Sequence, residues 1–414
     1  MLKWWFGVKL WKRILGALFL GIIVGTVWGE GVESIRWIGD VFVNMIKMLV
    51  VPLIFTTLVA GIYAMGDPKK LGSIGLKAVG LYLVTTAFAI VIGLTLGTIL
   101  APGVGVELAG VTPEPQMDQP SLKDRLLGIV PTNPVAALAS GEVLPIIFFA
   151  VLFGIGIVVA GEKARKVGDM FEAVADVMLK ITYIVMEVAP FGVFALIAYV
   201  SGTRGFGALW SAAGLAAALY LGCLLHMAIV HGGLIGLVLR LPVFSFFRGA
   251  LDAQMVAYST SSSSATLPVT ISVARMNLGI GRPVTSSVLP LGATVNMDGT
   301  AIYVGIVSLF AAQVFGIPLD FGTYLTIALI TTLISIGTAA VPSASIFLLA
   351  AVLGAIGIGD AETALIVGFV LPFDRILDMM RTVTNVTGDL AVATAVGKSE
   401  DEFDEAAFRA APIE

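Results

Sequence analysis

Cysteine and histidine are almost missing from this chain. Of 414 residues one is cysteine, Cys223, and two are histidine, His226 and His231. A single cysteine excludes an intrachain disulfide, and so few thiols and imidazoles exclude most Cys/His metal sites and Cys–His catalysis. Charge is scarce too: Asp, Glu, Lys and Arg make up 13% of the chain, against about 25% in soluble domains. That deficit is too large for a water-facing surface, so most of the exterior faces lipid. The net charge of −4 gives no electrostatic reason for a nucleic-acid partner.

Apolar residues fill the gap, at 58% of the chain. Lys3, Lys9, Lys12 and Arg13 precede an apolar run over residues 14–28 with no clean small-residue cleavage site after it, so it reads as a retained first span. Trp4, Trp5 and Trp11 suit an interfacial belt. A spanning helix needs ~20 apolar residues. That length predicts spans at 11–28, 38–65, 75–100, 143–160, 171–200 and 208–241, a broken span at 284–316 and a last one at 362–396. Basic clusters fall at alternate ends: Lys69, Lys70 and Lys77 after the second span, Lys163, Arg165 and Lys166 after the fourth, Arg240 and Arg248 after the sixth. The excess of positive charge on cytoplasmic loops then puts both termini in the cytoplasm and the Pro/Gly-rich, acidic loop 101–124 outside a cell (inner or plasma) membrane. Residues 398–414 read as a solvated, frayed tail.

Two segments do not fit simple spanning. The apolar arms 324–337 and 344–358, 14 and 15 residues long, flank an interruption at 338–343. At 1.5 Å per residue each arm reaches only ~21 Å of a ~30 Å hydrocarbon core. Residues 244–260, 261–268 and 269–275 repeat the design with a more polar first arm. Each reads as a re-entrant helical hairpin. The alternatives are one kinked helix for the later segment and a flexible serine-rich linker at 261–264 for the earlier one.

The polar chemistry lies in the last two spans. Asp374, Asp378, Arg381, Asn385 and Asp389 are spaced by 4, 3, 4 and 4, which places them within ~80° on one helical stripe. Facing lipid, the three aspartates and Arg381 would cost ~10–14 kcal/mol together, so the stripe faces protein or an aqueous cavity. An Asp378–Arg381 ion pair is a structural alternative, though it leaves Asn385 and Asp389 unexplained. Asn296-Met297-Asp298-Gly299-Thr300 sits in mid-span, and residues this poor in a helix interior read as a break exposing backbone carbonyls, with a bare kink as the alternative. Asn296 and Asp298 add amide and carboxylate oxygens of the kind that hold hard cations.

The stretches Ser261-Ser-Ser-Ser-Ala-Thr-Leu-Pro268, Asn296-Met-Asp-Gly-Thr300 and Asp378-Met-Met-Arg-Thr-Val-Thr-Asn-Val-Thr-Gly-Asp389 resemble those of the dicarboxylate/amino acid:cation symporters, the glutamate transporter family that includes archaeal aspartate transporters. The likeness covers nearly the whole chain. It implies an all-α membrane protein of eight transmembrane helices and two re-entrant hairpins with inverted repeats, assembled as a homotrimer. It also implies a scaffold at 1–74 and 102–207, a mobile elevator-like transport domain at 75–101 and 208–397, and a cytoplasmic tail at 398–414.

Carried over by resemblance, Arg381 with Thr300 would take the substrate side-chain carboxylate, Asp378 the α-ammonium, and Thr382 and Asn385 would support the substrate. Ser261, Ser263 and Val341 would hold the α-carboxylate. One Na⁺ site would use Asp389 with Gly292, Asn296 and Asn385; a second Thr294, Ser335, Ile336 and Thr338; a third Tyr82, Thr85, Thr86, Asn296 and Asp298. Without the resemblance, Thr85 and Thr86 would read as ordinary helix-packing residues. Archaeal members carry an arginine at the position of Ser261 and animal members one at Met379; this chain has neither, but has Arg375, which leaves K⁺ counter-transport open. The second tip, Pro342-Ser-Ala-Ser345, holds less glycine than the resemblance implies.

A guanidinium fork reads a carboxylate bidentately, and an aspartate nearby selects an ammonium. Glutamate carries net −1 and is opposed by an inside-negative potential at ~2.3 kcal/mol per 100 mV, so accumulation needs more than one cation per substrate. The expected function is therefore Na⁺-coupled uptake of glutamate or aspartate, with H⁺ coupling and C4-dicarboxylate specificity as rivals. A passive anion channel would lack gradient-driven accumulation. An intramembrane hydrolase would need a nucleophile and base, and His226 and His231 show no partner motif.

Overall fold

The computed structural model describes residues 8, 10–64, 68–106, 130–141, 143–204, 207–335 and 344–412. Among these it is helical throughout, with no strand beyond an isolated bridge between Ile280 and Phe403. The helices are α1 (Leu10–Trp28), α2 (Arg36–Ala64), α3 (Pro68–Leu100), α4 (Pro134–Ser140), α5 (Val143–Ala160), α6 (Arg165–Arg204), α7 (Gly207–His226), α8 (Val243–Thr260), α9 (Ser263–Met276), α10 (Arg282–Val295), α11 (Asp298–Val314), α12 (Phe321–Ser335), α13 (Ala344–Ala355), α14 (Asp360–Ser399) and α15 (Glu405–Arg409). Trp4, Trp5, most of loop 101–124 and the second tip at 338–343 lie outside the described residues.

The apolar composition is spent in two ways. Four helical segments, Lys12–Phe42, Ser73–Leu100, Ala212–Val238 and Arg282–Val314, are long and apolar enough to cross a membrane by length and composition. Lys12–Phe42 leaves Phe19, Leu20, Ile23 and Val27 outward, and Ser73–Leu100 does the same with Val84, Phe88 and Val91. Such faces belong in lipid. The window in Arg282–Val314 is wholly buried instead. It packs with α14, and these two polar-bearing helices form the centre around which α3, α7 and the first hairpin are arranged. The chain is thus a multi-pass membrane protein with Asp298, Asp374, Asp378, Arg381 and Asp389 buried at its core. α1 and α2 pack chiefly against the 40-residue α6 on another side.

The expected mid-span break is present. α10 stops at Val295, Asn296 and Met297 adopt non-helical backbone, and α11 starts at Asp298. The first hairpin is also present, but its interruption is shorter than 261–268. Only Ser261 and Ser262 leave the helix, and Pro268 lies inside α9. Proline lacks one donor but keeps helical φ, and Pro268 lies on the exposed face of α9. Ser261 takes the left-handed conformation (φ 52°), which turns the chain. Ser262 caps α9 by accepting from the Ala265 amide at 3.2 Å.

The expected frayed tail is corrected. Residues after α14 fold back and dock: the Gly281 amide donates to the Glu402 carbonyl and the Asp404 amide to the Gly279 carbonyl, each at 2.8 Å. Arg248 donates to the Ala410 carbonyl at 2.8 Å. Counting charges hides the reason, which is Phe408, 1% exposed and packed near Phe403. Lys77 and Ser73 of α3 donate to Glu400 and hold its carboxyl below the usual carboxylate range. A lowered native pKa stabilises above the unfolded value, so this clasp is lost as pH falls through the lowered one. Phe408→Ala should cost about 3 kcal/mol, read as a lower thermal midpoint in detergent. An unchanged midpoint would contradict the docking.

Candidate functional site

The stripe on α14 is turned inward. Asp374, Asp378, Arg381, Asn385 and Asp389 are all buried, Arg381 completely. Its Nη2 donates to Asp374 at 2.9 Å and to Asp378 at 2.8 Å, and its guanidinium lies 4.0 Å over the Tyr303 ring. The Asp378–Arg381 pair therefore exists, but it does not exhaust the groups: Arg381 Nε and Nη1 and Asp374 Oδ2 are buried without a partner. Unpaired buried donors of a charged group are costly, so the arrangement suits a carboxylate arriving from outside. Thr382 donates its hydroxyl to the Asp378 carbonyl at 2.8 Å, which fixes that turn.

The first hairpin tip reaches the same stripe. Arg375, one residue from Asp374, donates to the carbonyls of Ser259 and Thr260 at 3.4 and 3.3 Å. A guanidinium at the C-terminal end of α8 meets that helix's negative pole and pins the tip to α14. Ser261 and Ser263 are buried there, and Ser261 Oγ has no partner. α9 begins at Ser263, and a helix start presents free N–H groups to anions. Arg375 thus occupies the tip from the α14 side, in a chain that has serine at position 261.

The break supplies the second wall. The Gly299 amide donates to Asn385 Oδ1 at 2.8 Å, and a Cβ at Gly299 would collide with the Arg381 backbone. Glycine is thus needed for the break to lie on α14. Thr300, in the first turn of α11, is buried. Asn296 donates its amide to the Asn385 carbonyl and to Asp389 Oδ1, both at 3.0 Å, while its own Oδ1 is buried and unpartnered. Gly292 faces Asp389 and the Tyr82 hydroxyl so closely that any side chain there would clash. An aspartate, an unpaired amide oxygen and helix-end carbonyls form an oxygen-rich set suited to a hard cation.

Of the other residues expected to bind cations, Thr294 donates to the Leu291 carbonyl and Ser335 to that of Thr332, at 3.0 and 2.9 Å. Ile336, Thr338 and Val341 lie outside the described residues. Thr86 donates to Asp298 Oδ1 at 2.8 Å, with Thr85 at 3.4 Å. Tyr82 donates to the Val288 carbonyl at 3.0 Å.

Sequence reasoning missed that His226 and His231 meet Asp298, their Nε2 atoms 3.1 and 3.2 Å from its Oδ2. The helix α7 widens after His226 into π-helical turns at Met227–His231 and Leu234–Val238. Five residues rotate a side chain ~140° around an α-helix, whereas i→i+5 bonding brings the fifth residue nearly back above the first. The available signal was chemical: ionisable residues within a span call for a buried partner.

Comparison with known proteins places this geometry in context. A model of the sodium:dicarboxylate symporter family matches residues 10–399. The chain is 37% identical to the proton/glutamate-aspartate symporter of Escherichia coli K12, over 95% of this chain and 93% of that protein. It is also 37% identical to the proton/sodium-glutamate symport protein of Bacillus subtilis 168, over the same shares. It is 34% identical to the C4-dicarboxylate transport protein of B. subtilis 168, over 96% of each. These relatives are named as symporters and transport proteins. The chain belongs to the sodium:dicarboxylate symporter family.

Proposed function

We propose that the chain is a secondary active symporter that brings glutamate or aspartate into the cell with Na⁺ through an elevator-like movement of residues 75–101 and 208–397. The observation that carries the reading is Arg381, buried on two aspartates yet with Nε and Nη1 unpaired. A side-chain carboxylate takes those donors, supported by Thr300. Asp378 takes the α-ammonium, which separates an amino acid from a C4-dicarboxylate. The α-carboxylate lies at the start of α9 by Ser261 and Ser263, with Val341 as a further contact, and Thr382 and Asn385 hold the shape of the wall. Tip closure over the substrate excludes water and strengthens each of these contacts.

Asp389 with Gly292, Asn296 and Asn385 forms one Na⁺ site, which the unpaired Asn296 Oδ1 supports. Thr294, Ser335, Ile336 and Thr338 form another. Two sodium ions with one glutamate move a single positive charge inward, so the membrane potential assists rather than opposes uptake. The scaffold at 1–74 and 102–207 stays fixed in a homotrimer, with eight spans, two hairpins and cytoplasmic termini. Proton coupling is the second reading, favoured by the two imidazoles on Asp298.

Radiolabelled uptake in proteoliposomes should show accumulation of glutamate or aspartate driven by an imposed Na⁺ gradient, competed poorly by succinate. Accumulation driven by H⁺ alone would give the second reading instead, and a flux that never exceeds equilibrium would defeat both. Arg381→Cys should weaken glutamate binding by about 2–5 kcal/mol, ~30- to 5,000-fold. Retained affinity in that variant would remove the carboxylate assignment. Asp389→Asn should shift the sodium titration of substrate binding to higher concentration, and an unmoved curve would count against that site.

A further inference from the structure

Four side chains, Thr85, Thr86, His226 and His231, face the carboxylate of Asp298. Asp298 is fully buried, and a carboxylate has about four lone-pair positions. Thr86 takes one on Oδ1 at 2.8 Å, with the Thr85 hydroxyl 3.4 Å away. His226 and His231 face Oδ2 at 3.1 and 3.2 Å. Both rings are fully buried, stand edge to face with centroids 4.6 Å apart, and leave Nδ1 without a partner. Placing the proton on Nδ1 would bury two N–H donors that have no acceptor. Placing it on Nε2 lets both donate to Asp298, and the partners assign that tautomer.

The surroundings are shaped for the rings. The π-helical turn at Met227–His231 aligns the two histidines. A Cβ at Gly388 of α14 would come within 3.0 Å of His231 Nε2, so glycine makes the room. Of the rest of the expected third cation set, Tyr82 donates to the Val288 carbonyl and the Asn296 amide to Asp389 and the Asn385 carbonyl, while the unpaired Asn296 Oδ1 belongs to the proposed Asp389 site. A sodium ion needs oxygen lone pairs directed at it. At Asp298 it would meet two N–H groups with their positive ends toward the same carboxylate.

We infer that His226 and His231 close the third cation site of this chain, their N–H groups satisfying Asp298 where a sodium ion would otherwise be required. With His226 and His231, the residues Tyr82, Thr85, Thr86, Asn296 and Asp298 then form a fixed polar joint between α3, the end of α7 and the break, and coupling proceeds with one cation fewer. The inference rests on the proposed reading that cations are bound with substrate, and it specifies which acidic site takes none.

The test is the sodium dependence of glutamate binding by the purified full-length protein in nanodiscs, read as the slope of log apparent Kd against log sodium concentration. Replacing both histidines, H226A/H231A, strips Asp298 of two donors and should open the site, steepening the slope by about one relative to the unmodified chain. An equal slope in a variant that still binds glutamate at saturating sodium overturns the inference. Asp298→Asn with both histidines in place gives an independent arm: an unchanged slope supports closure, and a fall of about one overturns it. A flat slope in the unmodified chain would instead defeat sodium coupling, and the histidine variant would still decide whether the site had been closed.

Discussion

Everything in this structure depends on one constraint: ionisable groups held inside a membrane must find partners within the protein, because lipid supplies none. Arg381 is the clearest case. Completely buried, it is held by two aspartates on its own helix and by the face of Tyr303. Those contacts offset its desolvation and aim the guanidinium, yet two of its nitrogens stay unpaired. A site satisfied by the protein alone would have no use for a ligand, whereas one left short of acceptors has a standing affinity for a carboxylate.

The same rule separates the two acidic positions near the break. Asp389 shares one donated hydrogen bond with an asparagine whose own oxygen is unpaired. Asp298 collects a hydroxyl and two imidazoles. Identical side chains on two packed helices, α11 and α14, thus differ in the number of donors around them. Backbone choices make this possible: glycines at 292, 299 and 388 let helices approach until polar atoms meet, and any Cβ there would block them.

Much of this is legible in the amino-acid sequence. Helix α5 runs over Val143–Ala160 as its apolar run predicts, and the spacing of the α14 row already required an inward stripe. The break at Asn296–Met297 follows from residues that fit poorly in a helix. What escaped has identifiable causes. The interruption expected at 261–268 shrinks to Ser261 and Ser262, because Pro268 keeps helical φ on the exposed face of α9. The charges of the C-terminal segment point to solvent, while Phe403 and Phe408 decide where it goes. The histidines lacked a visible partner because a π-helical turn changes their facing and Asp298 lies on another helix. Arg375 showed in the sequence as an unassigned cation, and only the packing of the hairpin gives it carbonyls to hold.

The most direct measurement is a density map of the protein in lipid with glutamate and sodium bound. The account predicts glutamate between the first hairpin tip and α14, its side-chain carboxylate on the two nitrogens of Arg381 that are otherwise unpaired. Substrate density away from that helix, with Arg381 still engaged only by Asp374 and Asp378, would contradict it.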